Sequence, residues 1–142
     1  MIECIFCKLI AGELPCHRVG ENEYAFAFLD IHPLVDGHTM VVPKRHHAQL
    51  ESLADEEVAG VMSLARDVSA ALRGAMAAEA AAIGINNGSA AGQLVDHVHV
   101  HIIPRFADDR GGSVHAIVRS RTAAALPEVA AKLAAQLDRS RS

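Results

Sequence analysis

An α+β domain, with a mainly antiparallel five-stranded sheet, a long crossover helix and short terminal helices, is the fold class this sequence predicts. Three observations carry it. Short strand-like runs alternate with turn-forming residues, a long central stretch repeats apolar residues at three- and four-residue steps, and no repeat, linker or charge block divides the 142 residues. That length suits a single domain, residues 1–142, large enough to enclose a core. With 51% hydrophobic residues, 4% aromatics and no Trp, the core must be largely aliphatic.

Residues 4–11 predict a short first helix ended by Gly12. Residues 17–20 and 24–29, the latter reading YAFAFL, predict two strands joined through the polar ENE turn. TMVVP, residues 39–43, is a third strand entered from the turn-forming DGH. Ser52 reads as the N-cap of a long helix, with Asp55, Glu56 and Glu57 placed where carboxylates favour the positive end of the helix dipole. Val58, Val61, Met62, Ala65, Val68, Leu72 and Met76 then form one apolar stripe, expected to face the core and to end near Gly74 or soon after. AIGINN, residues 82–87, and HVHVHII, residues 97–103, are the last strands, separated by the loop GSAAGQLVD. Pro127 opens a final helix with Val129, Leu133 and Leu137 at helical spacing.

Thirteen basic against seventeen acidic residues, with no stripe of Lys and Arg, argue against a polynucleotide partner. The start, MIECIFCKLIAGE, lacks the basic opening and long apolar run of a secretory signal, and no stretch approaches the roughly twenty apolar residues of a membrane span, so a cytoplasmic protein is expected. Three cysteines do not make a disulfide framework. Cys4 and Cys7, three residues apart, point instead to metal or redox chemistry.

DHVHVHIIPR, residues 96–105, sets His97, His99 and His101 at alternate positions, so a strand there turns three imidazoles to one face and Val98, Val100 and Ile102 to the other. The backbones of His97 and His101 would lie about 13 Å apart, whereas zinc holds each nitrogen at about 2.0–2.1 Å. The three therefore do not share one ion, and the row divides its labour. Neutral imidazole attacks phosphorus without first losing a proton, and a covalent adduct splits one displacement into two. A second imidazole one pleat along can donate to a non-bridging or leaving oxygen. Such an arrangement suits nucleotidyl transfer.

HVHVHII resembles the His-φ-His-φ-His-φ-φ signature (φ, apolar) of the histidine triad family. CIFCKLIAGELP, FLDIHP, HTMVVPKRHH and INNGSAAGQLVDH are similar to its N-terminal half and phosphate loop, in the family's order, over about residues 4–105. Residues 106–142 form a C-terminal extension whose motifs, if any, are not legible. The resemblance, strongest to Hint-like and bacterial members, implies a hydrolase or transferase acting at the α-phosphorus of a nucleoside phosphoramidate or dinucleoside polyphosphate. His99 would be the nucleophile, and His101 would bind phosphate and assist the leaving group. Asn86 and Gln93 would contact phosphate or orient the leaving group, and Asp30 would accept hydrogen bonds from ribose hydroxyls. An adenine nucleotide conjugate as substrate and a homodimer are also implied. Many relatives carry Ser or Thr after the glutamine; here it is Leu94, so that hydroxyl's role is either vacant or filled elsewhere, which bears on leaving-group preference and turnover.

The resemblance further implies a structural zinc held by Cys4, Cys7, His46 and His97, with adjacent His47 as a substitute for His46, and no organic cofactor. Buried spectator cysteines and a redox pair are the other readings of Cys4 and Cys7; the redox reading lacks the preceding strand of a thioredoxin-like unit. Cys16, His17, His32, His38 and His115 are read as structural or surface residues, His38 shaping the turn before residues 39–43. Two other functions stay open: a hydrolase using a His-x-His pair as catalytic zinc ligands, and a nucleotide-binding or adaptor protein with vestigial catalysis.

Overall fold

The computed structural model describes residues 3–119 and 123–141, and the chain divides into two compact units, Met1–Gly111 and Gly112–Ser142. The first holds the sheet. Its elements are α1 (Ile5–Ile10), β1 (Arg18–Glu21), β2 (Ala25–Leu29), β3 (Thr39–Pro43), α2 (Asp55–Met76), β4 (Ala80–Ile85) and β5 (Val100–Arg105). The sheet runs β1-β2-β3-β5-β4 with every neighbouring pair antiparallel, so the connection through α2 carries the chain past the place that β5 later fills. Both the α+β class and the five strands agree with the sequence reading.

Each face of the sheet has its own apolar cluster. Ala25, Ala27, Val41, Val98, Val100 and Ile102 pack under α2 against Val61, Leu64, Ala65, Val68 and Leu72. Phe26, Phe28, Met40 and Val42 pack on the opposite face with Cys4 and Phe6 of the N-terminal segment. Alternation along β2 and β3 thus divides small residues, which let α2 approach, from large ones, which α1 covers.

Three expectations need correction. Ser52 is not the N-cap of α2: it ends a single 3-10 turn, and the helix starts at Asp55 after Ala54, whose N–H donates to the Glu57 carboxylate at 3.1 Å. Met62 and Met76, expected in the core stripe, are exposed, and Leu64 takes a buried place on the helix instead. The last strand begins at Val100, so only His101 of the three histidines lies within it.

The second unit carries α3 (Leu126–Ser140), with Pro127 in its first turn as expected from the missing N–H of proline. Its described side chains are exposed, Val129, Leu133 and Leu137 among them. No helix among the described residues is long and apolar enough to cross a membrane.

Candidate active site and metal centre

The extended path continues upstream of β5, because the Val98 N–H donates to the His47 carbonyl at 2.8 Å. Val98, Val100 and Ile102 are buried under α2, which turns the alternating imidazoles to the other face. Phe6 meets His97 and His99 edge-on at ring separations of 5.8 and 5.3 Å, and the His101 ring lies 5.1 Å from that of His99. On the far side, β4 places Gly84 opposite His101, where even an added Cβ would meet nothing within 4 Å. The row is thus packed on the Phe6 side and open on the Gly84 side.

Main-chain groups set which ring nitrogen carries each proton. A carbonyl only accepts, so His99, 2.8 Å from the His97 carbonyl through Nδ1, must hold its proton there. Its Nε2 keeps a lone pair. Every buried side-chain nitrogen or oxygen among the described residues has a hydrogen-bond partner. The Nε2 of His99 has no partner among the described residues and therefore reaches solvent, although the residue as a whole is only 7% exposed.

The next ring is oriented through two bonds. The Leu34 N–H donates to Nδ1 of His38 at 3.2 Å, so His38 carries its proton on Nε2 and donates to Nδ1 of His101 at 2.9 Å. His101 in turn presents an Nε2–H. Burial pulls both rings below the ordinary imidazole value, against the attraction of the Asp30 carboxylate, so both are neutral at pH 7. Asp30, His38 and His101 are close enough together to suggest a cation site. An imidazole accepting at Nδ1 has no lone pair left at Nε2, however, and the Leu34 amide makes this arrangement a proton chain.

Cys4, Cys7, His46 and His97 bring their ligand atoms within 4.8 Å of one another. The sulfur-to-Nδ1 distances are 3.4 Å (Cys4–His97), 3.5 Å (Cys7–His46) and 3.6 Å (Cys7–His97). Tetrahedral bonds of about 2.3 Å to sulfur and about 2.05 Å to nitrogen hold such donors about 3.6 Å apart. His97 donates from Nε2 to the Pro43 carbonyl at 2.8 Å, which frees Nδ1 to face both sulfurs. Burial pulls His97 down to about 4, and burial together with the neighbouring Cys4 pushes the Cys7 thiol up to about 11, so an ion entering here displaces a proton from sulfur. This group can hold a metal ion. His47 stands apart from it, its ring bonded to Glu57.

Asp30 is next to the histidine pair, with Oδ1 accepting from the His32 N–H at 2.9 Å and Oδ2 lying 3.6 Å from His38 Nε2. Asn86 is exposed in the loop after β4. Gln93 is buried, its oxygen accepting from the Gly88 N–H at 2.7 Å and its Nε2 donating to the carbonyls of Ala48 and Val95. In this conformation it braces the loop. Leu94 is 93% exposed. Sequence reasoning missed His38, left as a turn residue although it is buried against His101; no signal in the sequence pointed to it, because the contact follows from the register that pairs Met40 with His101. It also missed the wedge made by Phe6.

Residues 11–108 match the model of the HIT domain. The chain is 41% identical over 110 residues to an adenosine 5'-monophosphoramidase of Schizosaccharomyces pombe, covering 78% of this chain and 80% of that protein. A solved structure of a hypothetical protein from Leishmania major is 38% identical, with a TM-score of 0.83 over 96% of this chain and 94% of its own. A zinc-bound histidine triad family protein from Mycobacterium smegmatis is also 38% identical, with a TM-score of 0.73 over 76% of this chain and 78% of its own. With the motif, the fold and the domain match falling on the same residues, the chain belongs to the histidine triad family.

Proposed function

We propose that the chain is a nucleotide hydrolase acting at the α-phosphorus of a nucleoside phosphoramidate or dinucleoside polyphosphate through a nucleotidyl-histidine intermediate. The observation that carries this reading is the bond from His99 Nδ1 to the His97 carbonyl, which leaves Nε2 as a solvent-reached lone pair. That nitrogen forms a bond to phosphorus while the bond to the leaving nitrogen or oxygen breaks. The leaving atom keeps the electron pair and takes up one proton from solvent. His101 Nε2–H, held outward by His38, donates a hydrogen bond where the negative charge grows. Water then attacks the same phosphorus, the bond to His99 breaks, and a proton from that water balances the one consumed. The adenosine 5'-monophosphoramidase relative supports the phosphoramidate and an adenine nucleotide conjugate as substrate.

Asp30, beside this pair, is assigned to the ribose hydroxyls through its Oδ2, and exposed Asn86 to the phosphate. Gln93 would reach phosphate only by giving up its main-chain bonds, so its share in this reading is to shape the loop. Cys4, Cys7, His46 and His97 would hold zinc, which supplies a structural crosslink between the N-terminal segment and the sheet. The same set uses His97 and leaves His99 out, which disfavours a hydrolase with His-x-His as catalytic zinc ligands. The exposed outer strand β4 suits pairing with a second copy, so a homodimer is part of the proposal, as is a reducing, cytoplasmic setting for the free cysteines. Sedimentation at micromolar concentration tests the dimer.

The deciding experiment is mass spectrometry of protein quenched during turnover with adenosine phosphoramidate. One nucleoside monophosphate on the peptide bearing His99, absent from a folded His99→Ala variant, is expected together with a turnover loss of at least about 10²-fold. Unmodified peptide with turnover intact in that variant would sink the reading. Elemental analysis should find one zinc per chain, lost in Cys4→Ser.

A further inference from the structure

We propose that His47, gripped by the buried Glu57 carboxylate, is a positioning residue that sets the register of the nucleophile segment and of the metal ligands. The inference rests on the reaction proposed above, but its structural half does not. Glu57 sits in the first turn of α2 and is only 3% exposed, and a buried carboxylate is tolerated only when paired. The Ala54 N–H satisfies part of it; the His47 ring lies 2.9 and 3.1 Å from its two oxygens. Arg45 approaches no nearer than 3.6 Å on a side chain that is 77% exposed and gives a loose hold.

The peptide so anchored has functional neighbours on both sides. The His47 carbonyl accepts the Val98 N–H at 2.8 Å, and Val98 lies between His97 and His99. The preceding residue, His46, directs Nδ1 to Cys7 at 3.5 Å. The next residue, Ala48, takes the Gln93 amide at 2.7 Å. Capping α2 alone would need only the Glu57–Ala54 bond. The ring bond adds a tie from the helix to the peptide that supports both centres, and a displacement there would move His97 and His99 together.

The test compares full-length His47→Leu with His47→Gln, which keeps an N–H donor able to reach Glu57. Zinc affinity is measured by competition with a chromophoric chelator, and kcat and KM are measured on adenosine phosphoramidate. The Leu variant should weaken zinc binding by about 10–100-fold and lower kcat by a similar factor with KM little changed, while Gln restores both. Wild-type values for Leu, or equal losses for Leu and Gln, overturn the proposal. Should Leu fail to fold, the smaller His47→Ala, which likewise has no side-chain donor for Glu57, is expected to show the same losses, and wild-type values from it overturn the proposal. A wild-type chain without turnover sinks the proposed reaction and leaves the zinc competition to decide the positioning role.

Discussion

At the scale of single residues, His38 fixes the proton of His101 while remaining buried itself. Removing it in His38→Ala frees Nδ1 of His101 to take the proton, and kcat should fall by about 10²-fold. Nitrogen NMR of the His101 ring in the same variant should show mixed tautomers; a single unchanged tautomer with a wild-type rate would contradict the role. Leu94, being 93% exposed, contributes no packing, so Leu94→Ser should leave stability within about 0.5 kcal/mol. Relative kcat/KM across conjugates with different leaving groups is expected to shift instead. The alternation of His97, His99 and His101 was legible in sequence because it is local. The Leu34–His38–His101 chain was not, since it depends on the register in which β3 meets β5.

Secondary-structure elements extend the same lesson to glycine. A methyl at Gly60 of α2 would stand 2.7 Å from Tyr24 Cβ, and the Gly60 carbonyl accepts from Asn22, so this is where the helix closes on the β1–β2 turn. Gly60→Ala should cost about 1–3 kcal/mol in denaturant titration. Gly74, in the same helix, has nothing within 4 Å of its added Cβ, and Gly74→Ala should stabilise by up to about 1 kcal/mol. Two changes of one type with opposite signs test how α2 is seated. The helix itself was readable from its apolar period, but its start was not: Ser52 carries the right hydroxyl, yet that residue ends a 3-10 turn and the helix opens at Asp55, with Glu57 reaching back to the Ala54 N–H. Met62 satisfied the period too, but it lies about 100° around the helix from buried Val61, at the edge of the stripe formed by Val61, Leu64, Ala65, Val68 and Leu72.

For the whole molecule, His38, His97 and His101 share one consequence. Burial is the leading cause that lowers each of them, so each binds protons more readily in the unfolded chain, where imidazole titrates near 6.5. In metal-free protein their contribution to stability is complete above about pH 6.5. It is lost as pH falls towards about 4, the value for folded His97. Thermal melts of chelator-treated protein should drop between pH 7 and pH 5, and a midpoint that holds or rises would contradict this. Fold class and strand number followed from turn residues and periodicity, whereas the order β1-β2-β3-β5-β4 did not, because no local pattern tells β4 to wait at an edge.

That order has a bearing on synthesis. A chain leaving the ribosome completes β1, β2, β3, α2 and β4 before the strand that must lie between β3 and β4 exists, so β4 has no ladder partner until residues 100–105 emerge. Nascent chains stalled before Val100 should therefore be cut readily by protease within β4 and the C-terminal half of α2, and those stalled well past Arg105 should resist. His99, the proposed nucleophile, immediately precedes these residues, so its ring emerges just ahead of the strand that closes the sheet.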